Sequence, residues 1–344
     1  MENIDINEFK ILKDLVKFNT IKDKENEKII NYIESYLKPL GFKTEYKTNN
    51  LVMSIGKNPK IGFLGHTDTV EYIDEFKTPF DLTLRDDKLY GLGACDMKGG
   101  IAAMLDAVGK TDFSKLNGGM KLYFTFDEEI GFGGTYELVK NNHVFPDVMI
   151  FGEPTNNEAL TGSKGLIEYE INFKGLKAHS SNPEKGVSAN LNAVKFLYEL
   201  ENYYNDEIKS DKEQYYLIPY TTMNVGLMNG GSAKNSVPAS CEVSIDFRVI
   251  NNDHIEKIQN KVKELADKYK ADVNVIECIK PFMDKVDYFD EVKTANFMTE
   301  ASLIGDKSKR IILGTGPVTA HEVNENISVG SYRKLVKQYK ELIN

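Results

Sequence analysis

Residues 61–70 read Ile61-Gly62-Phe63-Leu64-Gly65-His66-Thr67-Asp68-Thr69-Val70, a short apolar run that breaks off at a histidine and an aspartate. A run this brief, bounded by polar residues, predicts a buried strand rather than a helix. In α/β sheets functional side chains gather beyond the carboxyl ends of strands, which is where His66 falls. Asp68, two residues further along an extended chain, points to the same side and could orient the imidazole. Taken alone, His-x-Asp reads first as a turn with a solvated carboxylate and a histidine satisfied by backbone.

The pattern repeats outward. Leu51-Val52-Met53, Leu122-Tyr123-Phe124-Thr125-Phe126, Val148-Met149-Ile150-Phe151 and Arg310–Leu313 are further short strand-like runs. Apolar residues at three- and four-residue spacing predict helices through Phe9, Leu12, Leu15 and Val16, and through Ile29, Ile30, Ile33, Tyr36 and Leu37, the latter stopped by Pro39 and Gly41. A third helical pattern runs through Ile101, Met104, Leu105 and Val108. Strands interleaved with helices make an α/β layer with a mixed sheet. From about Leu166 the order changes. Ile167, Tyr169, Ile171 and Phe173 alternate as a strand, then come a helix over roughly Val187–Tyr203 and strands near Thr221–Leu227 and Cys241–Val249. A helix with Ile255, Ile258, Val262 and Leu265 and a strand at Val273–Cys278 complete β-α-β-β-α-β, the ferredoxin-like order. The chain then returns to helix, strand and a last helix from about Asn326. The expectation is one α/β domain, residues 1–164 and 279–344, interrupted by an α+β domain over residues 165–278.

The length of 344 residues exceeds what one core usually holds, in keeping with that division. A formal charge of -9 gives a nucleic-acid backbone no positive footprint. The polar start Met1-Glu2-Asn3-Ile4-Asp5 lacks the basic and apolar regions of a signal peptide. No apolar run approaches the roughly 18–20 residues that a bilayer span needs. Cys95, Cys241 and Cys278 are odd in number, far apart and form no CxxC pair. A reduced, cytoplasmic chain with neither membrane nor nucleic-acid partner is expected.

Other strand ends also carry ionisable groups. Asp96 lies in the glycine-rich Tyr90–Gly100 stretch before the helix at Ile101, where GxGxxG and GK[ST] spacings are both missing and a lone Asp would ordinarily be a cap. Glu128 and Glu129 follow Phe126-Asp127; adjacent carboxylates repel unless a cation compensates. Glu153 ends the Val148–Phe151 run, and His321 follows the loop Thr315-Gly316-Pro317. Each group has an ordinary reading as a solvated turn or cap. Together, two His with Asp, Glu and Glu could hold two adjacent divalent ions sharing Asp96. Nitrogen and oxygen donors without thiolate suit zinc, cobalt or manganese.

These segments resemble the M20 metallopeptidases. The resemblance is carried by GHTDTV, YGLGACDMKGG, TFDEEIG, GEPT, KAHSS, NSVP, DFRV and GTGPVTAHEVNEN, in order from residue 65 to residue 326. It implies a zinc-exopeptidase-like catalytic domain with a mixed sheet flanked by helices, and an inserted ferredoxin-like lid and dimerisation domain. It implies that His66 and Glu153 bind one zinc (or cobalt) ion and Glu129 and His321 the other, with Asp96 bridging. Asp68 would orient His66, and Glu128 would be the general base. His179, by itself a surface-loop histidine, would reach the active site of a dimer partner and stabilise the developing oxyanion. Asn235 and Arg248 sit on the inserted domain too; Arg248 points away from the apolar face of its strand and suits bidentate capture of a substrate carboxylate. The loop Gly314-Thr315-Gly316 could add backbone donors. Residues from the inserted domain must approach the metals, which implies domain closure.

For substrate, Thr315-Gly316-Pro317-Val318 differs from the Thr-Ser-Asp type of loop common in desuccinylases and stands nearer the acetylornithine or acyl-lysine deacetylase branch. Val318 departs from the Gly frequent there. The leading expectation is a two-metal deacylase of a small N-acyl amino acid. Alternatives are a dipeptidase or carboxypeptidase, a succinyl-diaminopimelate desuccinylase, and a catalytically silent binding protein on the same fold. The last would have lost a ligand or the base, and none is lost.

Overall fold

The computed structural model describes residues 4–343 apart from 73–74, 117, 288 and 290; Met1, Glu2 and Asn3 of the polar start lie outside the described residues. Two compact units emerge. The first comprises Met1–Thr161, Asp284–Asp290 and Thr299–Asn344, and the second Gly162–Met283 with Glu291–Met298.

The first unit is built on a six-stranded sheet in the order Lys43–Lys47, Leu51–Ile55, Gly119–Thr125, Pro59–His66, Val148–Phe151, Lys309–Ile312. The last four strands are mutually parallel, and Leu51–Ile55 runs antiparallel to both its neighbours. Parallel strands are covered on both faces, which is why their sequences are nearly unbroken apolar runs. Phe63, Leu122, Phe124, Ile150 and Ile311 are buried in one core with side chains of the helices Lys10–Val16, Asn26–Leu37, Lys98–Gly109 and Val329–Ile343. The consequence for function lies at one edge. His66 stands opposite Thr125, Leu64 opposite Phe151 and Phe151 opposite Ile312, so four parallel strands release their chains side by side.

The second unit has a four-stranded antiparallel sheet in the order Thr222–Gly230, Ser240–Val249, Gly165–Lys174, Ala271–Ile279. The helices Ala189–Tyr203 and Asn252–Tyr269 bury Phe196, Leu200, Ile258, Val262 and Leu265 against Ile167, Ile171, Val243 and Phe247. Both helices begin with a side-chain cap, Ser188 accepting from the Leu191 amide and Asn251 from the His254 amide. This is the ferredoxin-like arrangement.

Three features differ from the sequence reading. The second unit also takes in residues 162–164, 279–283 and 291–298, because Gly162–Ser163 pairs with Phe282–Met283 and with Thr294–Ala295. Two-residue strands carry no alternation to read. Asn326–Ser328 pairs with Lys88–Tyr90, which delays the last helix to Val329. Lys43–Lys47 is an edge strand of mostly exposed polar residues and offers no apolar signal. No helix among the described residues is long and apolar enough to cross a membrane.

Candidate active site

The sheet edge gathers six candidate donors and bases from five separate segments. His66 ends the Pro59–His66 strand and is completely buried. Its Nε2 lies 3.2 Å from Asp96 Oδ1, 3.9 Å from Glu153 Oε1 and 4.0 Å from Glu128 Oε2. The other Asp96 oxygen, Oδ2, is 3.7 Å from His321 Nε2, which in turn lies 3.1 Å from Glu129 Oε2. Asp96 therefore stands between two imidazoles, one oxygen toward each. His66, Asp96 and Glu129 each offer a ligand atom within 4.8 Å of the others, a spacing that one ion could fill.

Backbone geometry explains how the acidic residues are held. The short turn Glu128–Gly131 is bracketed by Asp127 and Phe132, both in the left-handed region, a strained arrangement for non-glycine residues. Asp68 is buried, and its two carboxylate oxygens accept from the Glu128 and Glu129 amides at 3.2 and 3.1 Å. Its relation to His66 differs in detail from the expectation. His66 Nδ1 is closer to the Asp68 carbonyl, at 3.2 Å, than to the Asp68 carboxylate, at 3.5 Å. Glu153 follows its strand by two residues, and a Cβ on Gly314 would come within 2.1 Å of the Glu153 carbonyl oxygen. Only glycine permits that approach.

The electrostatics are those of acids crowded without enough cations. Burial, together with Glu300, Asp96 and Glu129, pushes Glu128 well above the usual carboxylate range, against the pull of His66. Glu153 is raised in the same direction by burial and by Asp96 and Glu128. Burial alone would lower His66, but Glu128, Asp68 and Asp96 outweigh it and hold the imidazole well above its ordinary value. For His321 the hydrogen bond to Glu129 leads, and its pKa is also raised. A site in which carboxylates raise one another and both histidines are drawn toward the charged form has the electrostatics of a cation site. The donor set of imidazole nitrogen and carboxylate oxygen fits zinc, cobalt or manganese. Cys95, next to Asp96, offers no thiolate: burial pushes it up to about 12, and its sulfur accepts from the Thr319 amide.

Two of the backbone donors expected in the Gly314–Gly316 loop are engaged inside the protein. The Gly314 amide donates to Thr155 Oγ1 and the Gly316 amide to Ser331 Oγ, at 3.1 and 2.7 Å. As donors to a substrate carboxylate they are thus unavailable in this arrangement, because neighbouring hydroxyls satisfy them first; Thr315 is buried between them.

His179, Asn235 and Arg248 belong to the second unit. His179 pairs with Ser236 as an isolated bridge, the Asn235 carbonyl accepts from the Ser180 amide, and His179 Nδ1 meets Ser181 Oγ at 2.8 Å. Arg248 lies on the sheet face opposite Phe247 and holds Asp246 through Nε and Nη2, at 3.1 and 3.0 Å. His179 is exposed, and Arg248 is half-buried.

Among the buried charged residues that sequence reasoning missed, three bear on this site. Glu325 accepts from the Gly93, Cys95 and Asp96 amides, each at 2.8 Å, and so holds the turn that presents Asp96. It lay in a quoted motif, but nothing in its spacing pairs it with residues 93–96. Lys98 is completely buried and donates to the Phe18 carbonyl at 2.8 Å; burial lowers it to about 7. Glu300 is completely buried as well, and burial raises it to about 7.

Comparison with known proteins fits this geometry. Residues 161–274 match the peptidase dimerisation domain of the M20 family. An acetylornithine deacetylase from Photorhabdus laumondii is 32% identical, over 92% of this chain and 90% of that enzyme. A tripeptidase from Staphylococcus aureus has the same fold, with a TM-score of 0.80 at 23% identity over 99% of this chain and 98% of that one. A dinuclear metal-binding peptidase of the M20 family from Bacillus subtilis superposes with a TM-score of 0.73 at 13% identity, over 98% of this chain and 97% of that one. With its two-unit architecture, its strand-end His and carboxylate cluster and a relative this similar over nearly the whole length, the chain belongs to the M20 family of metal-dependent amidohydrolases and peptidases.

Proposed function

We propose that this enzyme removes the acyl group, acetyl foremost, from the nitrogen of a small amino acid, using two divalent ions and Glu128 as general base. The observation that carries the reading is Asp96 with one oxygen toward His66 and the other toward His321, beside a half-buried Glu128. His66 and Glu153 would hold one ion and Glu129 and His321 the other, with Asp96 shared; zinc is the first choice and cobalt the second. When bound, such a pair supplies Lewis acidity to the amide carbonyl and lowers the pKa of a water.

The remaining steps belong to the chain. Glu128 takes a proton from the attacking water as oxygen adds to the acyl carbon. It delivers that proton to the departing nitrogen as the C–N bond breaks, leaving a carboxylic acid and a free amine. Asp68 keeps the Glu128–Glu129 amides fixed during the transfer. His179, supplied by a second copy, stabilises the oxyanion, and Asn235 and Arg248 bind the substrate carboxylate. The acetylornithine deacetylase relatives support an acetylated substrate.

A homodimer through the second unit and a cytoplasmic setting complete the proposal. The match to a dimerisation domain supports the dimer, as does the exposed edge strand Thr222–Gly230 with Val225, Leu227 and Met228, together with exposed Leu191, Val194 and Tyr198. The three free cysteines accord with a reducing compartment.

The test is a screen of N-acetyl and N-succinyl amino acids and dipeptides with added zinc or cobalt. Preferential release of acetate is the expected result. Preferential cleavage of dipeptides would replace this reading with a peptidase, and no metal-dependent hydrolysis of any class would overturn it.

A further inference from the structure

Below the Glu128–Glu129 turn lies an acid for which the proposed reaction has no use. Glu300 opens the short Glu300–Ser302 helix, capped by Thr299, and its side chain is completely buried. Oε1 accepts from Thr135 Oγ1 at 2.5 Å. Oε2 is buried with no hydrogen-bond partner among the described residues, and so is Thr125 Oγ1. The Thr125 hydroxyl nonetheless stands near this carboxyl and, like Thr135, partly offsets the upward push of burial on it.

The two threonines occupy particular places. Thr125 is the last residue of the Gly119–Thr125 strand, and Thr135 lies in the first turn of the Gly133–Lys140 helix. Glu128 and Glu129 lie on the segment between them. A single carboxyl thus reaches toward both ends of the segment that presents the base and one candidate ligand. If ionised, Glu300 would add another negative charge near Asp68, Glu128 and Glu153. If neutral, the same group offers one acceptor and one donor, matching two hydroxyls that can each rotate to suit. A purely space-filling role would call for an apolar side chain, since a buried polar atom without a partner is destabilising.

We propose that Glu300 is a positioning residue: as a neutral carboxylic acid it accepts from Thr135 and donates to Thr125, tying together the two ends of the Glu128–Glu129 segment. Substrate does not touch it; its effect on turnover passes through the placement of Glu128 and Glu129. The inference rests on the deacylase reading for its kinetic readout only.

The experiment compares Glu300→Gln, Glu300→Ala and Thr135→Val with the unaltered protein, loaded with cobalt. Visible absorption reports the ligand field, metal analysis the stoichiometry, and thermal unfolding the folded fraction; kcat and KM are measured on an N-acetyl amino acid. Glu300→Ala and Thr135→Val are expected to shift the cobalt bands and lower kcat by about 10- to 100-fold, with KM within about twofold, as for a misplaced catalytic group. Glu300→Gln keeps an acceptor oxygen and a donor amide, and is expected to restore both the spectrum and kcat to within about threefold. Cobalt bands in Glu300→Ala and Thr135→Val that superimpose on those of the unaltered protein would overturn the proposal. So would a Glu300→Gln variant as impaired as Glu300→Ala. Should Glu300→Ala fail to fold, Thr135→Val removes one hydroxyl at nearly constant shape and decides the question alone. If the unaltered protein hydrolyses no N-acyl substrate, the functional reading fails, and the cobalt spectra still judge Glu300.

Discussion

The two units hold their candidate functional residues in opposite ways. In the first, His66, Asp68 and Glu153 are buried, and the acidic residues are tied to main-chain amides brought from distant segments. In the second, His179 is exposed and Arg248 half-buried, each engaged with a residue two positions away in its own chain. In the first, burial and mutual repulsion raise the Glu128 and Glu153 carboxyls, an imbalance that a bound cation would relieve. In the second, the pairing is local, so on the proposed roles a substrate could replace a partner without disturbing distant segments. On the proposed roles, chemistry is placed where displacement is costly, and recognition where it is cheap.

Substitutions can break that contrast. The largest effect is expected for Glu128→Gln, which should lower kcat by about 100- to 10,000-fold while both metal equivalents remain by metal analysis. Loss of metal together with activity would show that Glu128 is a ligand rather than a base. Next comes Glu325→Ala, which strips the acceptor from three amides and should reduce both metal content and kcat, the latter by about 100-fold. Unchanged metal binding there would break the claim that main-chain anchoring sets Asp96. In the second unit, Arg248→Ala is expected to raise KM about tenfold with metal content intact, as for one lost hydrogen bond to a charged group. Any fall in metal content in that variant would erase the distinction between the units.

A smaller effect sharpens the electrostatic half of the comparison. Glu300 and Glu325 are both raised from 4.5 to about 7, by burial first. Between pH 4.5 and 7 the folded, metal-free protein keeps protons that the unfolded chain has released. Stability from these groups is therefore present below pH 4.5 and lost as pH rises through about 7. Thermal melts of chelator-treated protein should show a melting temperature that falls from pH 5 to pH 7, and added zinc should reverse most of the fall. A rise over that interval would contradict the sign.

What could be read beforehand follows the same division. The parallel strands announced themselves because each carries a short apolar run, and two of those runs lead directly into an ionisable group, at His66 and Glu153. The ferredoxin-like unit was legible because Ile167, Tyr169, Ile171 and Phe173 alternate over a helix-covered face. Glu325 and Glu300 stayed hidden because their partners are amides and hydroxyls, which every sequence contains and no motif marks. The Gly314 and Gly316 amides looked like free donors for a related reason: nothing in the sequence places the Thr155 and Ser331 hydroxyls beside them. The Lys43–Lys47 strand was silent because an exposed edge needs no apolar face.

The bond from the Asp96 amide to Glu325 spans 229 residues of chain. At the roughly 5–20 residues per second of protein synthesis, the turn bearing Asp96 leaves the ribosome some tens of seconds before its anchor exists. The fourth parallel strand, Lys309–Ile312, and His321 emerge equally late. A nascent chain halted after the second unit would lack the Lys309–Ile312 strand, His321 and the Glu325 anchor. On the proposed ligand set, capture of metal would be a late event in the life of each molecule, waiting on synthesis through His321 and Glu325.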